Sequence, residues 1–525
     1  MGLIKDAGLE KLHMHLGCKM AQAPQILEKA LNGATAVSQN CYQIRTSAIS
    51  KFHENENEIC ADWGQRFQEM ANIESELNEF LLPASEDLKK LQDDAMAQIS
   101  FQHPALKCLN FIPYILTGIT LFKIWAVPLM AILTPLLVWV LPYIFLKFFY
   151  KLPISAEQYT QIIRLLMSGN PFNFKPTEGG GVAPTIPSSL TFKSVLQNGV
   201  MIFSFAHSLI QPVQNAMHLY KTDQTLYENG AKAIRFYELY KGFVAEMTLM
   251  NQVNFPFRES LDDMDVRDPR RAIHLLMEQP ERFRIACRDI ADLEVVWRIS
   301  RAHFLNPVLV IERGEFPLFQ VAGATDLSLL TSSSDPVSST VEFTGVDHHA
   351  VLTGPNGGGK SSFLRSLLQC VLIAQAYGVA PADKMVLRRF GWISSGLRLQ
   401  DAPGTLSMFE TEVAFASRIL RLSHSRGPGF VIYDELFHST NPPDGIRTAK
   451  VFLKQLWSRP DVLSVVSTHV FDLVESAPES VQRLCCQASV TPDGKLKLLY
   501  AVEKGVCRLS SVKSIWERFG LTSSV

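Results

Sequence analysis

Three stretches of this chain carry residues whose types and spacing suit work on a phosphoanhydride. In TGPNGGGKSS, residues 353–362, Gly354, Gly359, Lys360 and Ser361 satisfy G-x-x-x-x-G-K-[ST]. Glycines there let successive backbone N–H groups, from Gly354 and Asn356 through Gly357, Gly358 and Gly359 to Ser361-Ser362, curl around a phosphate, with Pro355 in the same loop contributing no N–H. Lys360 adds a point charge for the β- and γ-phosphates, and the Ser361 hydroxyl is a ligand for Mg²⁺. In GFVIYDE, residues 429–435, the run Phe430 to Tyr433 delivers Asp434 and Glu435 to the end of a strand. Asp434 is expected to hold Mg²⁺, largely through water, and Glu435 to polarise an attacking water, as a hydrolase needs and a kinase does not. The third stretch, LSVVSTH, ends in Thr468 and His469, and His469 is expected to act as a catalytic or γ-phosphate-sensing group. The expected catalytic residues are Glu435, His469 and Lys360, the expected metal ligands Ser361 and Asp434, and the expected cofactors ATP and Mg²⁺.

Such groups need a rigid sheet edge to meet on, and the chain offers one from about residue 306. PVLVIERGEF, HAVLTG, GFVIYDE and LSVVSTH are short apolar runs bounded by turn residues, with helical stretches between them. That pattern predicts an α/β P-loop ATPase domain, ABC-like, with a largely parallel sheet flanked by helices over 306–525. An LSGGQ-like segment, which a transporter-type ATPase would carry before its acidic strand, is absent. Upstream the pattern is helical: 1–107 is an N-terminal helical region with Ser85 as a cap, and 151–305 a core or lever-like region. A Gly/Pro-rich loop over 171–192 interrupts the latter, with three consecutive glycines.

Between the helical regions lies an apolar stretch, 108–150. It has 15 uncharged residues between Lys107 and Lys123 and 23 between Lys123 and Lys147. As a helix the second run extends about 35 Å, enough for a hydrocarbon core of about 30 Å, and the first only about 22 Å. Pro128, Pro135 and Pro142 disfavour a helix in water more than one in lipid, and Trp125, Trp139, Tyr143 and Tyr150 suit an interface. The expectation is a membrane hairpin with Lys107 and Lys147 on one side and Lys123 at the turn. A buried apolar layer is the alternative.

Composition narrows the partners. Lys plus Arg number 50 and Asp plus Glu 51, so bulk charge does not hold this chain to nucleic acid. Nine scattered cysteines without a CxxC pair read as reduced thiols facing a cytosol, and the N-terminus lacks the apolar core of a cleavable signal.

The motifs together resemble the MutS family. LTGPNGGGKSSFLR is similar to its TGPN-x-x-GKS/T loop followed by an aromatic, Leu and Arg; Asn356 after Pro355 is the telling residue. DELFHSTNPPDG, residues 434–445, resembles the DEL-x-x-GT stretch, STHVFDL the T-H-x-x-x-L motif, and SMFETEV, residues 407–413, the S-T-F-x-x-E-M segment on Ser407, Phe409 and Glu412. The resemblance implies that Ser407 reaches the γ-phosphate of a partner subunit, so that the active form is a homodimer or a heterodimer with a related chain. Departures are equally plain. Phe437, His438 and Ser439 replace small and basic residues, and the one early Phe-x-Glu, Phe52-His53-Glu54, lies in a polar helical stretch unsuited to a mismatch wedge. The chain looks more like shortened membrane-associated members, with the ATPase domain on the cytosolic side. A soluble cytoplasmic or nuclear homologue binding mismatched or branched DNA is the alternative.

Overall fold

The computed structural model describes the chain except residues 1, 55–59, 83–85, 87–88, 91–92, 94–96, 98–99, 102, 113, 169–173, 177–181, 185–191, 251–254, 259–260, 262–266, 331–335, 346, 400–405, 423–425, 493–494 and 520–525. Ser85 and the three glycines of the 171–192 loop lie outside the described residues. Contacts divide the chain into two units, 1–74 with 240–259 and 285–525, and 75–239 with 260–284.

The first unit is built on a six-stranded sheet. Its strands are β1 (His349–Thr353), β2 (Trp392–Gly396), β3 (Gly429–Tyr433), β4 (Val462–Ser467), β5 (Val481–Val490) and β6 (Leu496–Lys504), in the order β2-β3-β4-β1-β5-β6. All neighbours are parallel except the β5–β6 pair. Every residue of β1, β3 and β4 is buried, which is why these strands read as continuous apolar runs instead of alternating ones. Tyr433 is level with Val466, and Ser467 with Leu352, so β3, β4 and β1 end along one carboxyl edge. Helices α1 (Lys360–Tyr377), α2 (Met408–Arg421) and α3 (Pro442–Trp457) connect these strands. Of these α1 is buried along nearly its whole length. A separate four-stranded sheet takes in Leu309–Ile311, Lys384–Arg388, Phe319–Ala324 and Ser339–Phe343.

N-terminal helices belong to the same unit. The backbone N–H groups of Lys19 and Met20 donate to the buried Glu294 carboxylate, and that of Ala21 to Glu74. Phe52, Trp63, Phe67, Phe243 and Trp297 form an aromatic knot, with Trp63 meeting Phe52 edge-on at 5.3 Å. Phe52 is fully buried in the helix Gln39–Glu54, so it is a core residue and not a wedge.

In the second unit the backbone stays helical from Ile115 to Phe149, through π-helical turns at Phe122–Ala126 and Phe145–Phe149. The expected hairpin is therefore not formed: Lys123 lies inside the first π-helical turn. That turn widens the backbone just where the Pro128 ring would otherwise meet the carbonyl of Ile124. The start of the helix is anchored. Asp268 accepts from the Tyr114 N–H and the Thr117 hydroxyl, and Arg270 pairs with Asp223 through two bonds of 2.6 and 2.7 Å. Beyond it the side chains turn outward, with Trp125 70%, Phe148 71% and Phe149 74% exposed. Ile115–Thr134 is long and apolar enough to cross a membrane, with a mean hydropathy of 1.9 and 17% of it buried. In the loop at 171–192, Phe174–Pro176 pairs antiparallel with Val182–Pro184.

Candidate nucleotide site

The loop after β1 takes its shape from glycines that no other residue replaces without strain. Gly357 has φ +76° and Gly359 φ +97°, and a side chain at Gly359 would also press on the Tyr500 ring at 3.3 Å. Gly359 is the residue from which α1 starts, so the positive end of the helix faces the loop. Lys360 is buried and its Nζ donates to the carbonyls of Gly354 and Pro355, each at 3.2 Å. Burial lowers its pKa, opposed by the nearby carboxylates of Glu435 and Asp434. These are weak, bent-back partners for an ammonium, and phosphate oxygens would be stronger ones.

At the adjacent strand ends the acidic groups meet the loop. The Ser361 hydroxyl donates to Asp434 Oδ2 at 2.5 Å, and Ser467, the last residue of β4, donates to Asp434 Oδ1. Ser467 Oγ also accepts from the Glu435 N–H at 2.9 Å. Glu435 has φ +53°, a left-handed conformation uncommon outside glycine, asparagine and aspartate. Its Oε1 is 3.0 Å from His469 Nε2. The His469 hydrogen bond is the main reason the Glu435 pKa lies below the usual carboxylate range, with His469 and Lys360 charge adding to it.

Of the residues expected from the sequence, the structure brings Lys360, Ser361, Asp434, Glu435 and His469 together around the 354–362 loop. Asn356 and Gly357 are exposed on its outer side. Ser407 stands apart from these contacts. It caps α2 in a capping box, with the Glu410 N–H donating to its hydroxyl at 3.3 Å and its own N–H donating to the Glu410 carboxylate at 2.8 Å. Three participants were not assigned to the site from the sequence. Ser467 sits one residue before the Thr468-His469 pair, and a hydroxyl at the end of a buried strand beside an acidic one was the available signal. Tyr500, with φ +60°, walls the loop from β6, and His438 touches the Glu435 carbonyl; neither is marked by any local spacing.

Ser361 and Asp434 together present hard oxygen donors, which is the set Mg²⁺ takes when phosphate and water supply the rest. No group of three His, Cys, Asp or Glu side chains able to hold a metal occurs among the described residues.

Residues 350–525 match the family profile of MutS domain V. This region is a MutS-family domain. The chain is 28% identical over 236 residues to the DNA mismatch repair protein MSH1, mitochondrial, of Arabidopsis thaliana, a match covering 43% of this chain and 20% of that protein. It is 28% identical over 158 residues to the DNA mismatch repair protein MutS of Streptococcus gordonii, covering 30% and 18%, and 24% identical over 238 residues to that of Leuconostoc mesenteroides, covering 43% and 27%. The chain thus spans only about a fifth to a quarter of the length of these relatives.

Proposed function

We propose that this chain is an ATP-binding and ATP-hydrolysing MutS-like ATPase, dimeric through its ATPase domain and associated with a membrane through the 115–149 helix. The observation that carries the enzymatic part is the contact of Ser361, Asp434, Ser467, Glu435 and His469 at one sheet edge, beside a buried lysine that donates to two loop carbonyls. In this reading the loop N–H groups and Lys360 bind the β- and γ-phosphates. Ser361 and Asp434 hold Mg²⁺, whose charge offsets that of the phosphates. Glu435 accepts a proton from the water that attacks the γ-phosphorus as the bond to the β-γ bridging oxygen breaks, giving ADP and phosphate. His469 orients the Glu435 carboxylate. Ser407, by its resemblance to the family's S-T-F-x-x-E-M serine, serves the γ-phosphate of a partner subunit, so turnover depends on dimerisation and moves the helical arms.

A Glu435→Gln variant is expected to retain ATP binding while hydrolysis falls by about a hundredfold; an unchanged rate would remove Glu435 as the base. Lys360→Ala is expected to lose nucleotide binding itself.

Membrane association is supported by the exposed aromatic and aliphatic side chains between Trp125 and Tyr150. The names of the relatives favour the second reading, a soluble DNA-binding repair homologue. Carbonate extraction decides the first, and filter binding to heteroduplex or branched DNA across a salt series decides the second.

A further inference from the structure

The turn that follows Asp434 is unusually constrained, and the constraint comes from another element. Glu435 and Phe437 both have left-handed backbones, φ +53° and +49°. A turn with two such residues needs partners that outweigh the strain. At its start the Glu435 N–H is held by Ser467. At its far side His438 Nδ1 lies 2.9 Å from the Glu435 carbonyl oxygen and 3.2 Å from Glu412 Oε1. The next residue, Ser439, donates its hydroxyl to the other Glu412 oxygen at 2.5 Å. Glu412 is fully buried in the middle of α2, the helix that Ser407 caps. A buried carboxylate is costly without partners, and this one takes the Ser439 hydroxyl on one oxygen, with the His438 ring 3.2 Å from the other.

We propose that His438 is a positioning residue for ATP hydrolysis. Its imidazole donates Nδ1–H to the Glu435 carbonyl, beside the buried Glu412 carboxylate that Ser439 holds, and fixes the left-handed turn that aims the Glu435 carboxylate. The main chain of Glu435 is thereby clamped on both sides, by Ser467 from β4 and by His438 from the turn. Because Glu412 belongs to α2, the aim of Glu435 depends on where that helix sits. His438 touches neither nucleotide nor water in this role. The inference rests on the reading of Glu435 as the base, and goes beyond it by assigning a residue that no part of the hydrolytic motif names.

The test uses the full chain and compares His438→Ala, His438→Asn and Ser439→Ala in steady-state ATP hydrolysis, with thermal unfolding measured alongside. Asparagine places an amide donor close to the Nδ1 position. His438→Ala is expected to lower kcat by about tenfold to a hundredfold with the KM for ATP within about twofold, as a misaimed group does. His438→Asn is expected to recover most of that loss, and Ser439→Ala to show a smaller loss of the same kind. The inference is overturned if kcat is unchanged in His438→Ala, if KM rises while kcat holds, or if asparagine is as impaired as alanine at equal thermal stability. Should His438→Ala fail to fold, the comparison of Ser439→Ala and His438→Asn with the unaltered chain decides it by the same criteria. Absence of hydrolysis by the unaltered chain would refute the ATPase reading itself, a different result from an active chain indifferent to His438.

Discussion

Glu435 is held in a conformation that costs a non-glycine residue on the order of 1–3 kcal/mol, which the hydrogen bonds around it must offset. Each such bond contributes about 1 kcal/mol net, so the three at its N–H, carbonyl and carboxylate are of the right size to do so. A second residue-scale feature lies at the start of β1. His349 is buried, with Nδ1 2.8 Å from the Ser464 hydroxyl, and burial first and His348 second push its pKa down to about 4. The unfolded chain, with an ordinary imidazole, binds more protons than the folded one between about pH 4 and 6.5, so stability rises with pH through that window and falls as it is acidified. The expected contribution is at most about 3 kcal/mol by pH 4. Thermal unfolding across pH 4 to 7 should therefore be flatter in His349→Gln than in the unaltered chain, and an identical slope would refute the assignment. The motif residues were legible because each group of them is contiguous: loop, acid pair, strand-end histidine. Ser467, His438 and Tyr500 were not, because their contacts arise only when separate elements are laid side by side.

At the scale of elements, the turn after β3 and the start of α3 are packed with no room to spare. Asn441 caps α3 with its side chain accepting from the Asp444 N–H, and Gly445 in the first turn approaches the Phe437 carbonyl so closely that a Cβ there would lie 2.6 Å from its oxygen. A Gly445→Ala change must push α3 away from the left-handed turn. It is expected to cut ATP turnover by about tenfold or more, while Asn441→Ala, which removes only a cap, costs about 1 kcal/mol of stability. Comparing kcat and unfolding midpoints for the two variants checks the distinction. HAVLTG, GFVIYDE and LSVVSTH form buried parallel strands, since burial on both faces removes the alternation, whereas PVLVIERGEF contributes the partly exposed Leu309–Ile311 to the separate four-stranded sheet. The helix at 115–149 was read with a turn it does not have. Charge suggested a break at Lys123, but a single lysine can lie along a helix, and the π-helical turn there accommodates Pro128 without reversing the chain.

At the scale of the whole molecule, one helix among the described residues is long and apolar enough to cross a membrane. If it enters lipid, replacing Trp125, Phe148 and Phe149 with glutamine should move the protein from the carbonate-resistant pellet to the supernatant, while ATP hydrolysis is retained; a variant that remains in the pellet would count against insertion through these residues. The two units also divide the chain out of sequence order, with 1–74 clustering with 285–525. Neither composition nor periodicity announces such a pairing, because each helix of 1–74 is amphipathic and would suit any apolar neighbour. Ala7 accepts a hydrogen bond from Gln369, 362 positions later, and Ala34 one from Gln375. At a ribosomal pace of about 5–20 residues per second, roughly 20 to 70 seconds separate the synthesis of Ala7 from that of its partner. Throughout that interval the helices Ala23–Asn32 and Gln39–Glu54 lack α1, against which they pack, and the apolar helix emerges meanwhile. The nascent chain must be shielded for longer than its early helices take to form, and residues translated after 350 govern whether 1–74 finds its packing partner.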